Sequence, residues 1–317
     1  MLLRQLGSTQ LRVSPVAMGC WPISGITSLD VNPDDSLKTL HTALEHGINF
    51  FDTAHSYGTS ESLLAQALRG HRSEVVIATK GGLARRDGVQ FHNARPEALK
   101  EQCKNSLNQL QCEHIDLYYL HAPDPEVPIE ESAGAIADLI RDGLVIAAGA
   151  SNLSLAQLRQ FHAVCPLAAI QPPYNLLQRE IEAEILPWCR QHNIAACVYW
   201  PLLKGLLAGQ LSRQHVFPPK DGRHKYPMFQ GNEYQRNHDL LDELRPIATQ
   251  LNTTLAALVV AWTIAQPGIT SALCGAKRDW QIQQSAAAAH LVLSTDVLQQ
   301  INTALQRRGT PLTKTAV

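Results

Sequence analysis

The sequence predicts an α/β fold of the (β/α)8 TIM-barrel class, with an N-terminal β-hairpin as plug and extra helices near the C-terminus. Three observations carry this reading. Eight short apolar runs alternate with helical segments, and eight buried strands each followed by a helix close best into such a barrel. No linker-like stretch interrupts the 317 residues, so a single domain over residues 1–317 is expected. The competing doubly wound sheet lacks its usual fingerprints, since neither a GxGxxG nor a GxxxxGK[ST] run is present.

Residues 1–15 read as the hairpin, turning at Gly7-Ser8-Thr9. A strand over residues 16–20 leads to a helix with Asn32 as N-cap, Pro33 at its first position and Gly47 just past its end. The second strand runs into Asn49-Phe50-Phe51-Asp52, and its helix, residues 60–69, stops at Gly70. A strand over 75–80 precedes a loop at 83–93 and a helix opening near Pro96. A strand over 115–121 precedes a helix that runs through Ile140. The second half repeats the rhythm: strand 145–150 and a helix from Ser154, then strand 168–171 and a helix over 181–192. Strand 195–200 is followed by a long Pro- and Gly-rich loop, 202–231, and helices over 233–251 and 255–265. Strand 269–274 closes the ring before helices from Asp279 and Thr295.

Composition narrows the function. With 27 basic and 28 acidic residues the net charge is −1, so no broad field favours nucleic acid or anionic lipid. Seven cysteines lie scattered without a CxxC pair, which reads as reduced thiols in a cytoplasmic protein. The N-terminus lacks the apolar core of a signal peptide, and the longest apolar run, 255–265, is too short to span a bilayer. A small molecule is the expected partner.

In barrels of this type chemistry sits at the C-terminal ends of strands. Those ends carry Asp52, Lys80, His121, Ser151-Asn152, Gln171 and Tyr199-Trp200, with Tyr57 in the loop after the second strand. Each has a bland reading alone: a solvated lysine, a satisfied histidine, a helix-capping aspartate, a packed tyrosine. Their coincidence on one rim, in barrel order, is what those readings explain poorly.

From end to end the chain resembles an aldo-keto reductase. The matching pieces are Phe51-Asp52-Thr53-Ala54 with Tyr57-Gly58, Ala78-Thr79-Lys80, and Ile115-Asp116-Leu117-Tyr118-Tyr119-Leu120-His121. They continue through Gly149-Ala150-Ser151-Asn152, Gln171 with Tyr174-Asn175, Pro201-Leu202 with Gly205-Leu206-Leu207, and Gly275-Ala276-Lys277. The resemblance implies NADP-dependent reduction of an aldehyde or ketone by a tetrad of Asp52, Tyr57, Lys80 and His121. Hydride must come from a nicotinamide, because no side chain supplies it. Tyr57 would be the general acid, with its pKa, about 10 when free, lowered by a Lys80 ammonium whose counter-ion is Asp52. A neutral His121 would orient the carbonyl oxygen.

The resemblance also implies the cofactor contacts. Ser151, Asn152 and Gln171 would hold the carboxamide, Tyr199 would stack on the ring, and Trp21 and Asp52 would border it. Trp200, Pro201, Leu202 and Gly205 would run along the pyrophosphate. Gly275, Lys277 and Gln281 would meet the adenosine end, and Lys277 favours NADP(H) over NAD(H). Ser285 stands where the family often has Asn, and His55 is unusual between Asp52 and Tyr57. Phe217, Tyr226 and Phe229 are expected to wall an apolar substrate pocket. Two other readings compete. One is a slow cofactor-binding regulator resembling potassium-channel β subunits; the other is a metal-dependent hydrolase, which the 13 histidines invite but the missing HxH and HExxH pairs oppose.

Overall fold

The computed structural model describes residues 1–26 and 31–314. A two-stranded hairpin, β1 (Arg4–Gln5) and β2 (Arg12–Val13), precedes the barrel strand β3 (Val16–Gly19) and helix α1 (Pro33–Glu45). Then follow β4 (Phe50–Asp52), α2 (Ser60–Ala67), β5 (Val76–Gly81), a second hairpin β6 (Leu83–Arg86) and β7 (Val89–His92), and α3 (Pro96–Leu110). The middle of the chain gives β8 (Ile115–Leu120), α4 (Ile129–Arg141), β9 (Val145–Ser151), α5 (Leu155–Val164), β10 (Leu167–Gln171), α6 (Ile185–Gln191) and β11 (Ala195–Tyr199). Helices α7 (Gly231–Gln250) and α8 (Leu255–Ala265), strand β12 (Ile269–Gly275), α9 (Asp279–Ala287) and α10 (Thr295–Arg308) complete it.

Eight parallel strands close into one barrel in chain order, β3-β4-β5-β8-β9-β10-β11-β12, with β12 pairing back to β3. Short side chains fill the interior at Ala17, Ala78, Ala147, Ala169 and Ala195, beside Phe50, Leu117 and Tyr119. The first hairpin closes the N-terminal mouth, with Leu6 and Val13 fully buried in that same cluster. Arg4 clamps it from below, its Nη1 donating to Ile264 O at 2.9 Å and Ile269 O at 3.0 Å. Gly7 turns the hairpin at φ 56°, where any Cβ would collide with Ala168 O.

Local signals place the elements. Asn32 caps α1 by accepting from Asp35 N at 2.8 Å, with Pro33 at the first helical position. Ser154 and Gln157 form a capping box at α5. The wholly apolar α8 is buried along nearly all its length, packed on β12, α7 and α9. No single described helix is long and apolar enough to cross a membrane.

Two expectations need correction. Residues 83–93 form the hairpin β6–β7, turning at Asp87 and Gly88, φ 52° and 79°. Asp-Gly with positive φ at both positions is the strongest short hairpin signal. The helix expected over 181–192 is a short 3-10 turn, Glu180–Glu182, followed by α6. Pro187 is the cause: it disfavours helix before it and is tolerated only in a first turn, where its missing N–H is not needed.

Candidate active site

The strand ends bring Asp52, Tyr57, Lys80 and His121 together. Asp52 ends β4 and is 3% exposed; Lys80 lies near the end of β5 and is 1% exposed. Lys80 Nζ donates to Asp52 Oδ1 at 2.5 Å and to Thr53 O at 2.7 Å. The other carboxylate oxygen accepts from Gln171 Nε2 at 2.8 Å. Tyr57 rides on a turn held by its N–H donating to Ala54 O. Its hydroxyl lies 3.5 Å from His121 Nε2, and Trp21 packs edge-on against its ring at 4.7 Å. His121 follows β8 and is buried, with Nδ1 lacking a partner among the described residues.

Electrostatics corrects one expectation. Burial raises the Tyr57 pKa well above the ordinary value, where a lowered one was expected, and Asp52, Tyr199 and Cys20 push the same way. Lys80 spends its charge on Asp52 and lies 5.1 Å from the centre of the Tyr57 ring, with no hydrogen bond to the phenol among the described residues. Arg85 is the cation that pulls the phenol downward. The proton therefore stays on Tyr57 through neutral pH. Burial, Lys80 and His92 hold His121 well below the ordinary imidazole value, so it is neutral there, as expected. Burial also raises Asp52, opposed by Lys80 and Gln171.

The residues assigned to the carboxamide interlock with this set. Ser151 Oγ donates to Gln171 O at 2.8 Å, Asn152 Nδ2 donates to His121 O at 2.9 Å, and Tyr199 Oη donates to Asn152 Oδ1 at 2.8 Å. Asn152 takes φ 59°, a left-handed value that Asn tolerates better than most residues. One hydrogen-bonded chain thus runs from Tyr199 through Asn152, Ser151 and Gln171 to Asp52 and Lys80.

After β11 the chain turns through positive φ at Trp200, Leu203, Lys204 and Gly205, with values of 61°, 44°, 52° and 92°. Pro201 and Leu202 lie within that turn, and a side chain at Gly205 would project into open space. Leu203 N–H donates to Trp200 O and Gly205 N–H to Leu202 O, so the bend offers an anion only its remaining N–H groups and the Lys204 ammonium. Lys204 Nζ lies over the Trp200 ring at 4.8 Å, and burial, with Lys225 and Arg223 near, lowers it to about 8. That cation carries no local signal in the sequence. Beyond β12, Gln281 Oε1 accepts from Lys277 N and Arg278 N, fixing the bend at the start of α9. Gly19 and Gly275 approach closely, and a Cβ on Gly275 would press on Pro22. Ser285 is buried and donates to Gln281 O within its own helix.

The expected pocket walls differ. Phe217 and Phe229 are buried against each other and Tyr234 of α7, while Tyr226 packs on Trp200. Phe217 and Phe229 thus fasten the 202–231 loop to α7, while Tyr226 stays beside Trp200 after the end of β11. Hairpin β6–β7 sits at the mouth instead, Arg85 Nε donating to Ser56 O at 3.2 Å. Open clefts of about 350 and 340 Å³ lie elsewhere: one against α5 and α6 at His162 and Trp188, the other below the barrel at Arg4 and Arg190. Neither is lined by a residue of the tetrad.

Barrel and mouth together gather an aspartate, a tyrosine, a lysine and a histidine at one end of a (β/α)8 protein. The Aldo/keto reductase family model matches residues 15–306, and the chain belongs to that family. It is 35% identical to aldo-keto reductase YhdN of Bacillus subtilis (strain 168), over 95% of this chain and 92% of that protein. It is 31% identical to the NADH-specific methylglyoxal reductase of Escherichia coli (strain K12), over 95% and 98% of the two chains. Among solved structures, the glycerol dehydrogenase AKR11B4 from Gluconobacter oxydans superposes with a TM-score of 0.89 at 33% identity, over 99% of this chain and 98% of that one.

Proposed function

We propose that the protein reduces an aldehyde or ketone to the alcohol with NADPH, Tyr57 giving the proton and His121 holding the carbonyl oxygen. The observation that carries this reading is a half-buried phenol whose hydroxyl lies 3.5 Å from Nε2 of a buried imidazole at a barrel mouth, with burial raising the phenol and lowering the imidazole. The bound nicotinamide supplies the hydride. As negative charge gathers on the substrate oxygen, a phenol aimed there donates without first having to ionise. His121 Nε2 faces the same hydroxyl and is placed to hydrogen-bond the oxygen beside it. Asp52, fixed by Lys80 and Gln171, holds the floor of the site in one arrangement. Relatives named for glycerol and methylglyoxal support a small, polar substrate, and reduced buried thiols support a cytoplasmic setting. Nicotinamide consumption across a panel of carbonyls tests the reading; no turnover with any of them would contradict it.

Coenzyme choice rests on Lys277 and Arg278, adjacent cations just before α9, where a 2′-phosphate would meet a helix N-terminus; Arg278 also reaches Asp35. Arg278 adds to the earlier assignment of Lys277 alone. Lys277→Ala is expected to weaken NADPH roughly tenfold or more and NADH less than about threefold, by fluorescence titration. Equal losses would remove the phosphate contact and favour NADH.

The pH profile follows from the two shifts. Reduction needs Tyr57 protonated and His121 neutral. The first condition is lost only as pH rises through the raised phenol value; the second only as pH falls through the depressed imidazole value. Turnover in reduction should stay level from about pH 6 to about pH 9, wider than unperturbed groups near 6.5 and 10 would give. Oxidation, which needs the phenolate, should rise across that range. A tenfold fall in reduction between about pH 7 and about pH 8 would contradict the assignment.

A further inference from the structure

Hairpin β6–β7 leaves β5, the strand of Lys80, and folds back on the tetrad. Arg85 fastens it. Its Nε donates to Ser56 O at 3.2 Å, its Nη1 to Gly88 O at 3.1 Å and its Nη2 to Gln90 Oε1 at 3.2 Å. The guanidinium carbon lies 5.8 Å from the centre of the Trp21 ring, and Trp21 packs on Tyr57. Three of the five N–H donors of a guanidinium are thereby used, and two remain in a fixed fork.

What Arg85 lacks is a carboxylate. Arg72, Arg95, Arg179, Arg213, Arg223 and Arg308 each reach an acid, whereas Arg85 forms no ion pair among the described residues. Asp87, at the tip of the same hairpin, is exposed and does not reach it. Ser56, whose carbonyl oxygen holds Arg85, is buried with its own hydroxyl unpartnered. The hairpin adds Arg86 against that single aspartate, so the lip is cationic. Arg85 is also near enough for its charge to act on the Tyr57 hydroxyl.

The fold says which anion belongs here. In the closed ring, β5 stands opposite β11, four places away in either direction. The bend suited to a pyrophosphate follows β11, on the far side of the mouth. An anion at Arg85 therefore comes from the substrate side. We propose that Arg85 receives a terminal oxyanion of the carbonyl substrate, so that short aldehydes or ketones carrying a carboxylate or phosphate are preferred over their neutral counterparts. This rests on the carbonyl-reductase reading and names the substrate class for it. A planar fork beside a reacting phenol fixes both ends of a short chain.

The test compares charged and neutral partners: 4-oxobutanoate against butanal, and glyceraldehyde 3-phosphate against glyceraldehyde. The wild type is expected to favour at least one anion in kcat/KM by about tenfold or more, and which pair shows it tells carboxylate from phosphate. Arg85→Gln should cut that preference about tenfold, mainly through KM, and Arg85→Lys should restore part of it. Equal kcat/KM for charged and neutral partners in the wild type would overturn the proposal. So would an Arg85→Gln variant that loses activity equally on both, since that marks a hairpin fastener alone. If no aldehyde is turned over, the reductase reading fails by itself. Quenching of tryptophan fluorescence by succinate and inorganic phosphate then decides the Arg85 claim: an about tenfold weaker fit in Arg85→Gln supports it, and equal or absent binding overturns it.

Discussion

Tyr57→Phe loses carbonyl reduction by roughly 100- to 10,000-fold while still binding the nicotinamide coenzyme. That range is what a positioned general acid contributes, about 3 to 5 kcal/mol of barrier. The substitution removes one hydroxyl and keeps the ring, so the edge-on packing of Trp21 at 4.7 Å and the contact with His121 at 5.6 Å between ring centres survive. Nothing else described at the mouth offers a hydroxyl proton next to His121 Nε2. Turnover number and coenzyme affinity, measured on the same preparation, separate the loss of a proton donor from a collapsed site. A variant that keeps most of its turnover number would take the acid role from Tyr57.

Lys80→Met should lose both stability and activity. It strands the Asp52 carboxylate in a site where Lys80 and Asp52 are 1% and 3% exposed, leaving Gln171 as its remaining side-chain partner. Breaking a buried ion pair from one side costs about 3–5 kcal/mol, because an uncompensated charge stays behind. Removing both charges, as in Asp52→Asn with Lys80→Met, should recover much of that stability, since the paired charges themselves contribute little net. Activity should not recover, because the floor beneath Tyr57 and Gln171 is then remade. Urea unfolding of the single and double variants checks this. A single variant as stable as the wild type would mean the pair is not buried as described.

Much of this was legible from residue patterns because the signals are local. Asn32-Pro33 announces α1, and eight apolar runs announce eight barrel strands. The tetrad was found because each member falls at or just past a strand end, where this barrel gathers chemistry. What escaped depends on distance or on competition. Asp87-Gly88 was a readable turn signal, passed over because the strands beside it are exposed and only four residues each. Pro187 reshapes α6 through a missing N–H that an apolar pattern does not register. The upward shift of Tyr57 comes first from burial, which residue order does not show, with Asp52 pushing the same way. Phe217 and Phe229 resemble pocket walls in sequence, yet burial against Tyr234 is the lower-energy use of two large apolar rings. Arg85 and Lys204 carry no local signal; only the fold sets them beside Trp21 and Trp200.

The most direct measurement is the ionisation of Tyr57 itself. Tyrosine labelled with 13C at Cζ, in the coenzyme-loaded protein and with the Tyr57→Phe variant to assign the signal, reports phenol against phenolate at each pH. The account requires the Tyr57 signal to remain that of a phenol from neutral pH to about pH 9 or beyond, where a free tyrosine of pKa about 10 begins to ionise. A phenolate signal at neutral pH would contradict it, because the hydroxyl beside His121 would then have no proton to give.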